Sequence, residues 1–276
     1  MFRQDSAARG AVGKTVLRLR ASREIGNLKA ALQPFLITMQ YFKTSRIALF
    51  LFANVFLWSA VGFRVPGRWV TLFDGKKVEG WHSYNQQQVV GWFVENGTLT
   101  TDGTGGDLVT DKEYGDFELE FEFKIPQRSN SGVLYKVVEQ PDIKRTVFSA
   151  PEYQIIDDQN YVVKDSTGKS IGLKPVQLSG ANYDMNPPLD ATAFKPAESW
   201  NTGKIVVAKD HIQHFLNGKL VADYQYGDQA WKEKVAKSKF RDWPYATPHH
   251  RGRIALQNHN AKEKVWFRNI RVRELE

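Results

Sequence analysis

The 276-residue sequence contains no cysteine. That absence excludes a disulfide scaffold, a cysteine nucleophile, thiolate metal sites and a lipid-modified cysteine anchor. Several chemistry-bearing motifs are missing too. No Gly-x-Gly-x-x-Gly follows a strand, and there is no phosphate-binding Gly-x-x-x-x-Gly-Lys and no His-Glu-x-x-His. Gly-x-Ser-x-Gly is absent, so a nucleophile elbow has no support. The body of the chain also lacks net charge. The overall balance is +8, from 38 Lys and Arg against 30 Asp and Glu. Residues 1–64 carry ten of the basic and two of the acidic residues, which leaves 28 of each in the remainder. The basic excess is therefore local, and a general case for nucleic-acid binding falls away.

The N-terminal quarter has the layout of an export signal. Met39 to Arg46 is a short basic stretch, Ile47 to Trp58 is apolar apart from Asn54, and Ser59-Ala60-Val61-Gly62 supplies small residues where a signal peptidase needs them. The pattern predicts a signal peptide over residues 39–62, with cleavage after Gly62 and Ala60 at −3. It treats residues 1–38 as an extension ahead of the true start. The competing reading is a retained anchor over Ile47 to Phe63, whose 17 residues are short for a membrane span. Both place the following domain outside the cytoplasm, periplasmic or secreted in the first case and anchored to the inner membrane in the second. Membrane contact is then limited to that segment.

A hydrophobic fraction of 42% with 13% aromatics excludes a disordered chain. From about Trp69 the pattern has period two. Phe117, Leu119, Phe121, Phe123 and Ile125 alternate with Glu118, Glu120, Glu122 and Lys124, which predicts a half-buried strand. Asn96-Gly97 and Asn217-Gly218 each sit between strand-like runs and predict tight hairpins, because both residue types tolerate positive φ. Further strands are expected at Gly132–Val138, Glu152–Asp157, Arg253–His259 and Val265–Val272. One helix, Gln229–Phe240, is lysine-rich and reads as a surface insertion. Residues 158–200 are rich in Gly, Pro, Asn and Asp, as in a long loop over a cleft. Many antiparallel strands with short turns make an all-β, two-sheet sandwich over residues 69–276.

Strand parity then groups the polar residues. With Tyr153 and Ile155 inside, Glu152 and Gln154 face outward. With Ile254 and Leu256 inside, Gln257 and His259 do the same. Setting Val133, Tyr135 and Val137 inside sends Lys136 out, and Glu122 and Lys124 occupy positions of the same class. If these strands share one sheet, its open face carries Glu, Gln, His and Lys together. Such a face suits a polyol ligand and an acid/base group. His249-His250 is a poor metal site, because neighbours on a strand point to opposite faces. No group has metal-ligand spacing, and a divalent cation on the carboxylate-bearing face is left open.

Ordered motifs carry a family resemblance. Leu72-Phe73-Asp74-Gly75-Lys76 with Gly80-Trp81, then Leu108 to Leu119, Asn130-Ser131-Gly132-Val133 and Glu152-Tyr153-Gln154-Ile155-Ile156-Asp157 follow in sequence. Ser179-Gly180-Ala181-Asn182-Tyr183, Trp200-Asn201, Leu216-Asn217-Gly218 and Val265 to Ile270 complete the series. Over about residues 69–273 the chain resembles the 3-keto-disaccharide hydrolase domain family, formerly a domain of unknown function. The resemblance implies a concanavalin-like jelly roll, as in lectins and glucanases, in exported bacterial proteins that act on oxidised sugars. The chain departs from the family pattern in having Asn258-His259-Asn260 for Asp-His-Gly, and Lys136 where Arg is common. Lysine keeps the charge but loses the planar fork.

The implied chemistry needs a base at C2 of the sugar, a positive or hydrogen-bonding group at the C3 oxygen, and an acid for the leaving group. Glu152 and His259 are the expected proton-transfer pair, in either order, with Lys136 stabilising enolate charge. Asn130, Gln154, Gln257 and Tyr183 would orient hydroxyls. The partner is a small carbohydrate. Two other readings use the same fold: a non-catalytic carbohydrate-binding module, with Trp81, Trp92 or Trp243 stacking on sugar rings, and an ordinary glycoside hydrolase with a close carboxylate pair.

Overall fold

The computed structural model describes residues 67–259 and 264–275. The expected export signal and the residues ahead of it lie outside the described residues. Among the described residues no helix is long and apolar enough to cross a membrane.

Fifteen strands are described: β1 (Val70–Phe73), β2 (Trp81–Ser83), β3 (Trp92–Glu95), β4 (Thr98–Thr101), β5 (Leu108–Thr110), β6 (Phe117–Lys124), β7 (Asn130–Val137), β8 (Glu152–Ile156), β9 (Val163–Lys164), β10 (Ser170–Ile171), β11 (Asn201–Ala208), β12 (His211–Leu216), β13 (Lys219–Gln225), β14 (Arg253–Leu256) and β15 (Trp266–Glu274). They form an eight-stranded sheet in the order β13-β12-β11-β6-β15-β4-β3, with β1 added beside β15. A five-stranded sheet runs β2-β5-β14-β7-β8, and β9 and β10 pair separately. The result is the expected antiparallel jelly-roll sandwich.

The hairpins form where Asn-Gly marks them. Asn96 and Gly97 have φ of 50° and 75°, and Asn217 and Gly218 have 50° and 81°. Positive φ at both central residues gives a turn whose twist matches that of the flanking strands. The alternation of β6 is realised without exception: Phe117, Leu119, Phe121 and Phe123 enter the core and the charged residues between them do not. Facing them from the five-stranded sheet are Val133, Tyr135, Tyr153, Ile155, Ile254 and Leu256. The Phe121 and Tyr153 rings meet edge to face across the gap at 5.4 Å. Polar ties also cross it, since the Tyr135 hydroxyl is 2.7 Å from His214 Nε2 and 2.6 Å from the Tyr224 hydroxyl.

Two expectations about the sheets are corrected. Glu122 and Lys124 do not share a sheet with Glu152, because β6 belongs to the eight-stranded sheet and β8 to the other. On that sheet's outer face Glu122 pairs with Arg268 at 2.7 Å, and Lys124 Nζ lies 4.8 Å from the centre of the Trp266 ring. Lys136 does not face outward. Two residues of β7 oppose one of β14 between the Leu134–Ala255 and Val137–Arg253 pairs, and Lys136 takes φ of 59°. This bulge reverses the parity of the strand end. Leu134 and Val137 thus share the outer cluster with Val109 and Ala255, while Lys136 turns inward and is fully buried. There its Nζ donates to Asp210 Oδ1 at 2.8 Å and to the His250 carbonyl at 2.9 Å, over the Tyr226 ring.

The helical insertion is shorter than expected and is not simply a solvated face. Helix α1 (Gln229–Ala236) is capped by the Asp228 side chain, which accepts from the Trp231 amide, and it buries Trp231 and Val235. Trp231, Phe240 and Tyr245 stack into one aromatic block, at 5.5 Å and 4.4 Å between ring centres. The segment that carries this block also brings Lys239 and Trp243 to the cavity described below.

The bulge depends on Gly252, where a Cβ would lie 2.3 Å from the Lys136 carbonyl carbon. Gly252→Ala is expected to cost about 1–3 kcal/mol through this overpacking. Urea denaturation should show a lower midpoint at unchanged slope.

Candidate active site

The site is assembled where β7, β8 and the exit of β14 lie side by side. Opposite Gln154 on β8 stands Gly132 of β7. A Cβ on Gly132 would sit 2.4 Å from Glu152 Oε1, so the Glu152 carboxyl occupies space that only glycine leaves. The Gln257 amide nitrogen donates to the Gly132 carbonyl at 2.9 Å, and the Ser131 hydroxyl donates to the Gln257 carbonyl at 2.8 Å. These bonds fix Gln257 beside Glu152, and its Nε2 donates to Glu152 Oε1 at 3.2 Å. Gln257 Oε1 is buried and finds no hydrogen-bond partner among the described residues. An unsatisfied acceptor of this kind is costly unless a ligand hydroxyl or water fills it.

A cavity of about 180 Å³ opens over this group and is lined by Asn130, Arg145, Val147, Glu152, Gln154, Tyr183, Lys239, Trp243, Gln257 and His259. The structure thus brings together six of the nine expected site residues: Glu152, His259, Asn130, Gln154, Gln257 and Tyr183. Lys136, Glu122 and Lys124 are elsewhere, as described above. Trp81 and Trp92 are also elsewhere. Their indole N–H groups donate to the Leu72 and Gly106 carbonyls, whereas Trp243 lines the cavity and packs against Phe148 and Phe240.

Two cations supply what Lys136 does not. Lys239, from the segment after α1, has its Nζ 2.6 Å from Asp184 Oδ2 and donates to the Tyr183 hydroxyl at 3.2 Å. Partial burial opposes its charge, but the Asp184 carboxylate and the Tyr183 phenol outweigh this and raise its pKa. The Arg145 guanidinium lies 5.9 Å from the centre of the Phe148 ring, and its charge also acts on the Asp107 carboxyl. Neither residue was marked in the sequence, because both lie in irregular segments where strand parity has no meaning.

Behind the site is Asp107, also unmarked by pattern. Its carboxylate accepts from the Thr146 hydroxyl and, at 2.9 Å, from the Asn258 amide. It thereby holds the backbone that presents His259. The His259 ring meets the edge of Tyr161 at 6.3 Å. Burial, and next the negative charge of Asp107, push the Glu152 carboxyl from 4.5 to about 8, with Lys239 and the Gln257 amide pulling the other way. Among the described residues no three His, Asp or Glu side chains converge to hold a metal ion.

The jelly-roll sandwich thus places a buried carboxyl of raised pKa in a small polar cleft, a setting suited to acid/base chemistry. Comparison with known proteins narrows this. Residues 68–273 match the family described as the 3-keto-alpha-glucoside-1,2-lyase-like domain. The chain belongs to that family. It is similar to a 3-keto-disaccharide hydrolase of Bacteroides thetaiotaomicron, at 33% identity over 75% of this chain and 79% of that one. Two solved structures from Parabacteroides distasonis, both named only as candidate glycosyl hydrolases, share the fold. One is 34% identical with a TM-score of 0.70, covering 76% of this chain and 94% of that one. The other is 28% identical with a TM-score of 0.58, covering 75% and 100%.

The Glu152 environment has a direct consequence for stability. Its folded-state pKa lies above the ordinary carboxyl value, so between about pH 5 and 8 the folded state holds a proton that the unfolded chain releases. Stability from this group therefore falls as pH rises. Glu152→Gln removes that dependence. The variant is expected to be more stable than the parent, by a margin that widens by at most about 1.4 kcal/mol per pH unit across this window. Urea titrations at both ends of the window read it, and a constant margin would contradict the assignment.

Proposed function

We propose that the domain cleaves 3-keto-glycosides by elimination across C1 and C2, followed by hydration. The observation that carries this reading is that Glu152 is the one carboxylate lining the cavity among the described residues. Ordinary glycoside hydrolysis uses a pair of carboxylates flanking the bond. Elimination needs one base, and a carboxyl with a pKa near 8 is well matched to an α-hydrogen acidified by a ketone.

Glu152 takes the proton from C2, and the electron pair moves into an enolate with its charge on the C3 oxygen. Arg145 and Lys239 face that charge in a partly desolvated cleft, where fixed cations are most effective. Collapse of the enolate restores the ketone, forms the C1–C2 double bond and breaks the C1–oxygen bond, with His259 protonating the departing oxygen. Addition of water then puts hydroxyl on C1 and hydrogen on C2. Asn130, Gln154, Gln257 and Tyr183 hold the ring hydroxyls, with the open Gln257 Oε1 accepting from one of them. The family match and the similarity to a 3-keto-disaccharide hydrolase support an oxidised sugar as substrate.

We further propose that residues 39–62 export the domain, so that it meets its substrate outside the cytoplasm. N-terminal sequencing of the mature protein should begin at Phe63.

Purified protein is expected to cleave a 3-ketoglucoside and to leave the parent glucoside intact. Glu152→Ala should lower kcat by roughly 10²–10⁴-fold. For the parent, kcat/KM should rise with pH toward a plateau above about 8, because the base must be ionised. Cleavage of both sugars at similar rates would favour an ordinary glycosidase, and binding without turnover a binding module.

A further inference from the structure

Next to the catalytic cavity lies a second chamber of about 310 Å³. Asn130, Gln154, Tyr183 and His259 line both, so the two spaces adjoin across a shared polar rim. Together they fall within the roughly 300–1,000 Å³ of small-molecule sites. Beyond the rim the walls change character. Ile156, Val162, Val163, Leu173 and the Tyr161 ring contribute apolar surface, Lys164 and Gln177 add polar groups, and no carboxylate lines the chamber.

The far wall is the β9–β10 hairpin, in which Val163 pairs with Ile171 and Lys164 with Ser170. It is built to stand in one place. Asp165 Oδ1 accepts from the Thr167 and Lys169 amides and closes the turn. At its base the Tyr161 amide donates to the Asp157 carbonyl, and the Ser179 amide donates to Asp158 Oδ1. Yet Val162 is 52% exposed. A held wall that leaves branched aliphatic side chains in water gains by covering them with an apolar ligand.

We propose that this chamber is a leaving-group subsite for aromatic aglycones, an inference that rests on the elimination reading above. A second sugar would present hydroxyls in all directions, and beyond the rim Lys164, Gln177 and Tyr161 are the described lining residues with polar groups to meet them. A flat aryl ring instead buries against Val163 and Leu173 while its glycosidic oxygen stays at the rim beside His259. The bond broken is C1–oxygen, and the phenol departs with the proton that His259 delivers.

The test compares kcat/KM for 4-nitrophenyl and methyl 3-ketoglucosides in the parent, Val163→Ser and Leu173→Ser. The aryl-to-methyl ratio should fall about tenfold in each variant, which removes the intrinsic reactivity of nitrophenol from the comparison. An unchanged ratio in both would overturn the subsite. If the parent turns over neither substrate, the elimination reading fails and the subsite is judged by calorimetry. Phenyl glucoside should then bind the parent about tenfold more tightly than methyl glucoside, and Leu173→Ser should erase that difference. Equal affinities in the parent would overturn the proposal.

Discussion

The site depends on one spatial constraint: a carboxyl group must fit between two sheet strands where no neighbouring Cβ can stand. Glu152 Oε1 occupies the position that any side chain at residue 132 would take. Because the carboxyl is buried there, its charged form is costly, and the nearby Asp107 adds to that cost. The backbone then specifies the companions. The bond from the Gln257 backbone amide to the Gly132 carbonyl sets the register that brings Gln257 alongside, and Asp107 secures the next residue, Asn258, directly before His259. Carboxyl, amide and histidine are thus consequences of how β7, β8 and β14 are laid together.

A second constraint decides where positive charge comes from. The bulge at Lys136 places an ammonium group inside the sandwich, paired with Asp210. Breaking a buried pair by removing one partner typically costs about 3–5 kcal/mol. Lys136 is therefore committed to holding the β11–β12 turn against β7. The cleft draws its cations from segments that cross over it: Arg145 from the connection after β7, and Lys239 from the connection after α1. The aromatic block around Trp231 and Tyr245 gives the second of these a fixed path.

Much of this was legible in the sequence, and the part that was not has identifiable causes. Period-two alternation and Asn-Gly turns expose β6, the two hairpins and the sandwich. Parity on β8 sets Glu152 and Gln154 at one cavity, and Gln257 and His259 reach the same cavity although the strand expected to run to His259 ends at Leu256. The same rule fails for Lys136, since one inserted residue reverses every orientation beyond it and Val137 and Val138 look alike in pattern. It fails for Glu122 and Lys124 because alternation reports a face but not the sheet to which the face belongs. Arg145, Lys239 and Asp107 lie in turns or at a strand end, where hydrogen bonds to particular atoms, and not periodicity, determine direction.

The central claim is that Glu152 removes the C2 hydrogen of a 3-keto sugar. The most direct measurement is cleavage of a 3-ketoglucoside carrying deuterium at C2. The account predicts a primary isotope effect on kcat/KM and a product that has lost the label to solvent, with both cleavage and label loss abolished together in Glu152→Gln. Cleavage that retains the deuterium and shows no isotope effect would contradict it.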